Sequence, residues 1–221
     1  MMRGRPARGM DQTMGRMIVA GTDAGAVTLP TGVKFPVELR IPHGFDPDRP
    51  ETWPSVDGRL EFVGGRLLYM PPCGDVQQDV VADVVLVLGE WVRWHPEFVL
   101  ATNEAGIRLG DASRGADAAI FQRAAVGPYT GKFRRVPPVL AVEVSGDDEA
   151  VNVLREKARW YLSVGVLHVW LVIPEERAVL AVTLAGERRF ERGESLTEVA
   201  ELPGLAPAVA EFFHQLDRHD G

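Results

Sequence analysis

The regular patterning of the chain begins with alternating apolar and polar residues over 33–41, which is the two-residue period of a strand. A second strand-like segment, 59–70, is interrupted by the pair Gly64-Gly65. Adjacent glycines accept the positive φ angles of a tight turn, so this segment predicts a β-hairpin. Pro71-Pro72 ends its second strand, because proline cannot donate a hydrogen bond to a sheet.

Helical spacing appears in two long segments. Between residues 75 and 94, apolar side chains recur every three or four positions and predict a largely buried helix, with Asp75 as its N-cap. Residues 148–164 predict a second helix with one apolar face, and Gly165 is suited to end it. A short terminal helix is expected near 207–216.

The remaining apolar segments are short and predict strands. They span residues 98–102, 106–109, 116–121, 139–144, 167–173 and 178–184. The segment 139–144 is apolar almost throughout, as expected of a central strand that is covered on both faces. Because strands and helices do not alternate regularly, we predict an α/β domain with a mixed, twisted sheet flanked by helices.

The length of 221 residues suits one domain better than two. Residues 1–28 are rich in Gly, Arg and Met, and we interpret them as a flexible tail before a single domain over 29–217. No apolar segment is long enough for a secretion signal or for the roughly 18 residues of a membrane span, so we expect a cytoplasmic protein. Cys73 is the single cysteine, which excludes an intrachain disulfide and a cysteine-based zinc cluster.

The formal net charge of −7 counts against broad electrostatic binding to nucleic acid. It does not exclude an enzyme that acts on nucleic acid, because a divalent metal can neutralise phosphate locally. The basic residues Lys132, Arg134 and Arg135 could supply a limited contact surface.

Two carboxylates interrupt apolar strands. Asp117 lies near the start of 116–121, and Glu143 lies within 139–144. Acidic side chains are rarely buried without a partner, and two of them at one end of a sheet would raise each other's pKa. Bound Mg²⁺ or Mn²⁺ removes this conflict, since hard cations prefer carboxylate oxygens. The alternative is that each carboxylate lies in solvent at a strand end or pairs with an arginine.

Lys157 falls on the second predicted helix, one position before Ala158 and one turn before Tyr161 on its inner face. The long stem of the lysine could carry its ammonium group to the two carboxylates. A cation held there can orient a nucleophile or stabilise charge that develops on a phosphate. The alternative is an exposed lysine paired with Glu156 or Asp148.

Several motifs follow one another between about residues 57 and 185. In chain order they are Arg59-Leu60-Glu61-Phe62-Val63-Gly64-Gly65-Arg66-Leu67, Met70-Pro71-Pro72, Ala116-Asp117, Val142-Glu143-Val144, Lys157 through Tyr161, Gly165-Val166 and Val169-Trp170-Leu171-Val172. Their order and spacing resemble the Uma2 family, also described as a domain of unknown function. That family is assigned to the PD-(D/E)XK nuclease superfamily.

The resemblance implies a restriction-endonuclease-like fold with an N-terminal β-hairpin extension. It makes Asp117 and Glu143 the ligands of Mg²⁺ or Mn²⁺ and makes Lys157 the catalytic lysine, supplied from a helix. Glu61 matches an acidic position of the family's first hairpin, as an additional ligand or an outer residue of the site; a half-exposed strand residue is the alternative. The implied activity is hydrolysis of phosphodiester bonds in DNA, and a homodimer is common among nucleases that cut both strands.

The chain departs from the usual family pattern at three supporting positions. It has Val76-Gln77 in place of His-Gln, 145–148 as Ser-Gly-Asp-Asp in place of Leu-Ser-Pro-Ser-Thr, and Val153 in place of an acidic residue. Two other hypotheses therefore stay open. One is a catalytically inactive binding or assembly module with the same fold, and the other is a housekeeping domain in which Asp117 and Glu143 lie far apart.

Overall fold

The structure, a computed structural model, describes residues 18–19, 35–146 and 151–219. The strands among these residues are β1 (Ile18–Val19), β2 (Val37–Leu39), β3 (Arg59–Val63), β4 (Arg66–Met70), β5 (Phe98–Leu109), β6 (Ala112–Gln122), β7 (Leu140–Val144), β8 (His168–Ile173), β9 (Ala178–Thr183) and β10 (Gly186–Glu191). The helices are α1 (Asp75–Trp94), α2 (Arg123–Val126), α3 (Val151–Ser163) and α4 (His214–His219), with 3₁₀ turns at Pro50–Thr52, Pro174–Glu176 and Val209–Phe213.

The strands form one mixed sheet, in which β6 pairs with three other strands. Its order is β1-β2-β4-β3-β6-β7-β8-β9-β10, with β5 pairing β6 as well. Because β5 runs along one whole edge of β6, the opposite edge is shared by two strands: β3 pairs at Ser113 and β7 pairs at residues 118–120. β7 and β8 run parallel, and their neighbours on either side run antiparallel. The predicted mixed α/β architecture is confirmed.

Helices cover both faces of the sheet. α1 packs with the C-terminal helical turns over one face, and α3 covers the other. Strand β7 contributes alternately to the two cores: Val142 and Val144 pack in the cluster that includes α1, whereas Ala141 packs in the cluster that includes α3. All five residues of β7 are buried, which confirms it as a central strand covered on both faces.

The predicted hairpin and the long helix have the expected bounds. Phe62 faces Leu67 across the hairpin, and Gly64 and Gly65 have φ angles of 55° and 73°. Only the N-cap of α1 differs, because Gly74 occupies that position and Asp75 is the first helical residue. Gly165 lies just after the end of α3 and has a φ angle of 97°. Glycine adopts this angle without steric strain because it has no Cβ.

Other elements differ from the sequence prediction. The segments 98–102 and 106–109 belong to one strand, β5, with an irregularity between Thr102 and Ala105 that breaks the alternation. Among the described residues of the predicted strand 33–41, β2 covers 37–39, and it begins after Pro36, which has no N–H group to offer the sheet. β10 was not predicted, because five of its six residues are exposed and the segment therefore carries no apolar signal.

The predicted tail, 1–28, lies outside the described residues apart from Ile18–Val19, and so do residues 29–34 and residues 148–150 at the start of the second predicted helix. Those two residues pair in parallel with β2. The predicted terminal helix consists of the 3₁₀ turn at 209–213 followed by α4. Within the described part of the chain, no helix combines the length and the apolar character needed to cross a membrane.

Candidate active site

Asp117 of β6 and Glu143 of β7 lie opposite each other. They are at the end of the β6–β7 pairing, where the neighbour of β6 changes from β7 to β3. Ala118 pairs with Val142 in the antiparallel register of β6 and β7, so one further step brings Asp117 opposite Glu143. Both side chains belong to the α3 face of the sheet, as do Ala119 and Ala141 two residues away on each strand. The hypothesis that the two carboxylates lie far apart is therefore wrong.

The carboxylate of Asp117 is buried and is contacted by one hydrogen-bond donor and one cation. Its Oδ2 accepts a hydrogen bond of 2.7 Å from the backbone N–H of Val144, and its Oδ1 lies 3.8 Å from Nη1 of Arg59. Burial and the nearby charge of Glu143 raise the pKa of Asp117 from 3.8 to about 7, although Arg59, the Val144 N–H and Lys157 act in the opposite direction. A carboxyl group with a pKa near 7 is present in both its protonated and its ionised form at neutral pH.

Glu143 is held by two residues of α3. Its Oε2 accepts a hydrogen bond of 3.2 Å from Nζ of Lys157, and its Oε1 accepts one of 2.7 Å from the hydroxyl of Tyr161. Glu143, Lys157 and Tyr161 are each at most 5% exposed. Burial, followed by the charges of Glu143 and Glu61, raises the pKa of Tyr161 well above 10, so the phenol keeps its proton and donates a hydrogen bond to Glu143.

Helical periodicity explains why α3 provides both hydrogen-bond donors to Glu143. Lys157 and Tyr161 are four residues apart and project from one face of the helix, alongside the buried Leu154 and Ala158. The alternative of an exposed Lys157 is wrong, because its side chain is buried and ion-paired with Glu143.

Glu61 lies beside this group but has its own partners. Only 1% of the residue is exposed, so the alternative of a half-exposed strand residue is wrong. Its Oε2 accepts a hydrogen bond of 3.0 Å from Nη1 of Arg114, and its Oε1 accepts a longer one of 3.4 Å from the Gly115 N–H. Its charge contributes to the raised pKa of Tyr161, which places Glu61 in the same electrostatic environment as Glu143.

Three residues that hold the site in place had no role assigned to them from the sequence. Arg59 pairs with Asp117, Arg114 pairs with Glu61, and Gln77 at the start of α1 donates a hydrogen bond of 2.9 Å from Nε2 to the carbonyl oxygen of Val144. Arg59 precedes Glu61 by two residues on β3, and this spacing places both on one face of the strand. That spacing was the available signal for Arg59, whereas nothing in the sequence indicated the partner of Arg114.

The basic segment proposed as a contact surface for nucleic acid is largely engaged with the rest of the domain. Arg135 donates a hydrogen bond of 2.9 Å to Asp48, and the guanidinium of Arg134 lies 4.7 Å from the centre of the Phe121 ring. Both arginines therefore contribute to the packing of the loop that follows α2.

The chemistry of the site suits a divalent cation. Asp117 and Glu143 offer oxygen ligands in a buried setting. Burial and then the charge of Glu143 raise the pKa of Asp117, and a cation between the two carboxylates would offset both effects. Within 35–146 and 151–219, no group of three His, Cys, Asp or Glu side chains is arranged to hold a metal. Two carboxylates nevertheless suffice for Mg²⁺, which commonly keeps several waters and completes its coordination with substrate phosphate.

Comparisons with known proteins agree with the sequence resemblance. A family model described as "Uma2: Putative restriction endonuclease" matches residues 48–210. A crystal structure from Anabaena variabilis ATCC 29413, described as a "putative nuclease belonging to DUF820", superposes with a TM-score of 0.66 at 17% sequence identity. The match covers 75% of this chain and 96% of that one, and it shows a shared fold. No curated protein matches the chain.

Proposed function

The chain belongs to the Uma2 family, and from this premise we propose that it is a metal-dependent endonuclease that hydrolyses phosphodiester bonds of DNA. The observation that carries the proposal is the buried, face-to-face pair of Asp117 and Glu143 with Lys157 bonded to one of them. A structural role alone gives little reason to bury two like charges opposite each other.

Asp117 and Glu143 would hold one Mg²⁺ or Mn²⁺ ion. The backbone N–H of Val144 fixes the position of the Asp117 carboxylate, while Lys157 and Tyr161 fix that of Glu143. When bound, the ion would act as a Lewis acid that polarises the phosphoryl group and lowers the pKa of a water molecule. The ligands are therefore positioned before the ion arrives, which lowers the cost of ordering them.

Lys157 supplies a fixed positive charge beside the reacting group. Its ammonium is held at Glu143 by a hydrogen bond and lies in a setting from which solvent is nearly excluded. A cation in such a setting stabilises negative charge on a phosphate more strongly than it would in water. Lys157 would therefore stabilise the negative charge that develops on the phosphate or orient the attacking water. Glu61 would lie outside the metal ligands, where it accepts a hydrogen bond from Arg114.

One observation favours a second candidate, a non-catalytic binding or assembly module. Both oxygens of Glu143 and Oδ2 of Asp117 already accept hydrogen bonds from the chain itself. Those partners could stabilise the carboxylates without any metal. This reading predicts that Mg²⁺ binds weakly or not at all while the fold is unchanged.

Calorimetric titration of Mg²⁺ and Mn²⁺ separates the two candidates. The wild-type protein is compared with Asp117→Asn, Glu143→Gln and the control Asp111→Asn, whose exposed carboxylate lies in the turn between β5 and β6. The proposal expects binding that the two site variants lose and the control retains. Cleavage of supercoiled plasmid DNA is then assayed with the same proteins, and it should fail in both site variants.

Lys157→Met completes the set by separating ligation from chemistry. This variant should keep metal affinity within a few-fold of wild type and lose cleavage. Cleavage at the wild-type rate by Asp117→Asn would refute the endonuclease proposal. Absence of metal binding in every protein would favour the non-catalytic module.

A homodimer that places one site on each strand of a duplex is also part of the proposal. Sedimentation with and without duplex DNA tests this oligomeric state.

A further inference from the structure

Each of the three buried carboxylates at the candidate site faces one cationic side chain. The pairs, with their N–O distances, are Asp117 with Arg59 (3.8 Å), Glu143 with Lys157 (3.2 Å) and Glu61 with Arg114 (3.0 Å). When all six groups are ionised, their charges cancel. A divalent cation that joins them would add two positive charges to a buried cluster that is already balanced, which is costly while all three cations stay in place.

Of the cations paired with the two proposed metal ligands, Arg59 is the more loosely placed. Nζ of Lys157 lies within hydrogen-bond distance of Glu143, and the lysine side chain is 7% exposed. Nη1 of Arg59 lies 3.8 Å from Oδ1 of Asp117, which is longer than a hydrogen bond, and the arginine side chain is 13% exposed. The charge of Arg59 is therefore the easier of the two to move away from its carboxylate.

Arg59 faces the oxygen of Asp117 that a metal would need. Oδ2 of Asp117 already accepts a hydrogen bond from the backbone N–H of Val144, so Oδ1 is the oxygen left for an ion shared with Glu143. Mg²⁺ lies close to its oxygen ligands, so an ion on Oδ1 would be no more than about 6 Å from Nη1 of Arg59. Like charges at this separation in a buried setting repel each other strongly.

The N-terminal hairpin positions this arginine. Arg59 is the first residue of β3 and lies opposite Met70, the last residue of β4. Nη2 of Arg59 lies 3.7 Å from Sδ of Met70, while Nη1 points to Asp117 on β6. The charge that faces Asp117 is therefore supplied by a different part of the fold from Lys157 on α3.

We propose that Arg59 competes with the metal for Asp117: its guanidinium neutralises this carboxylate in the metal-free protein and is displaced from Oδ1 when Mg²⁺ or Mn²⁺ binds. The inference rests on the proposed function, which makes Asp117 and Glu143 the metal ligands. Arg59 is then a positioning residue that acts through Asp117. The exchange of one cation for another keeps Asp117 paired in both states, and it lowers the metal affinity below that of the two carboxylates alone.

Titration of Mn²⁺ by calorimetry, without DNA, tests the competition. The wild-type protein is compared with Arg59→Gln, which removes the charge, and with Arg59→Lys, which keeps it. The matched control is Arg66→Gln. Arg66 is exposed at the first position of β4 in the same hairpin, so this variant loses one positive charge that does not face the carboxylates.

Arg59→Gln should bind Mn²⁺ about tenfold more tightly than wild type, because a like charge beside the ion is gone. Arg59→Lys and Arg66→Gln should stay within about threefold of wild type, since one keeps the charge and the other loses a charge screened by solvent. A merely structural role of Arg59 gives equal or weaker binding by Arg59→Gln, and that result would overturn the proposal. An equal gain in Arg59→Lys would also overturn it, because the effect would then not depend on charge.

Two further measurements keep the outcomes distinct. If no protein binds Mn²⁺, the competition is overturned, whereas plasmid cleavage by the wild type in Mg²⁺ decides separately whether the endonuclease proposal survives. Arg59→Gln removes the cation next to Asp117 and could destabilise the fold, so thermal unfolding is recorded in EDTA and in Mn²⁺. Mn²⁺ should raise the melting temperature of Arg59→Gln more than that of wild type. An Arg59→Gln protein that is unfolded in EDTA should refold in Mn²⁺, and failure to refold would overturn the proposal.

Discussion

Replacement of Asp117 by Asn should make the metal-free protein more stable at alkaline pH. The pKa of Asp117 rises from 3.8 to about 7 in the folded protein, first because of burial and then because of the charge of Glu143. Between these two pH values the unfolded chain has lost a proton that the folded chain still binds. Stability therefore falls as pH rises through this range and stays constant above it.

The magnitude follows from the width of that range. Each pH unit corresponds to about 1.4 kcal/mol, and the range from 3.8 to about 7 spans roughly three units, so the ionised carboxylate costs the folded state on the order of 4 kcal/mol at pH 8. Asn has nearly the same shape, and its carbonyl oxygen can still accept the N–H of Val144. It cannot ionise, so the variant avoids the cost.

Urea unfolding in EDTA, followed by tryptophan fluorescence, measures this effect. The quantity of interest is the difference in unfolding free energy between Asp117→Asn and wild type at pH 4.5 and at pH 8, because other titrating groups cancel in it. We expect this difference to grow by about 2–4 kcal/mol in favour of the variant. Parallel stability profiles for the two proteins would refute the reasoning. Added Mg²⁺ should stabilise wild type at pH 8 and leave the variant unchanged.

Three further variants test the partners of the site, each by the same urea assay at pH 7.5 and by plasmid cleavage. Lys157→Met leaves a buried carboxylate at Glu143 without its cation and should cost about 3–5 kcal/mol, whereas an effect below 1 kcal/mol would indicate a solvated pair. Tyr161→Phe removes one donor to Glu143 and should cost about 1–2 kcal/mol and lower cleavage about 10–100-fold; unchanged cleavage would show that Tyr161 only packs. Gln77→Leu breaks the bond between α1 and the Val144 carbonyl and should cost about 1–2 kcal/mol, and full stability would contradict that bond.

Much of the local structure could be predicted from the sequence, because it depends on near neighbours. The turn at Gly64-Gly65 requires positive φ angles that glycine supplies, and the spacing of apolar residues in α1 depends on contacts three and four positions apart. Strand β10 could not be found in this way. Its exposed residues form a strand only because the edge of β9 is available for pairing.

The residues of the candidate site were also proposed from the sequence. A carboxylate within an apolar strand is costly to bury, so Asp117 and Glu143 stood out against their neighbours. Lys157 stood out less, because a lysine on a helix is ordinarily exposed. Its burial depends on the contact between α3 and the sheet, which links residues 14 positions apart through the Lys157–Glu143 hydrogen bond.

Only the tertiary structure decided how these residues meet. The register of β6 and β7 brings Asp117 opposite Glu143, and a shift by one residue would have turned one of them to the other face. The neighbour of β6 changes from β3 to β7 along the strand, and Arg59 of β3 thereby comes within 3.8 Å of Asp117. Pairing between distant strands is set by the packing of the whole sheet, and no local pattern of residues encodes it.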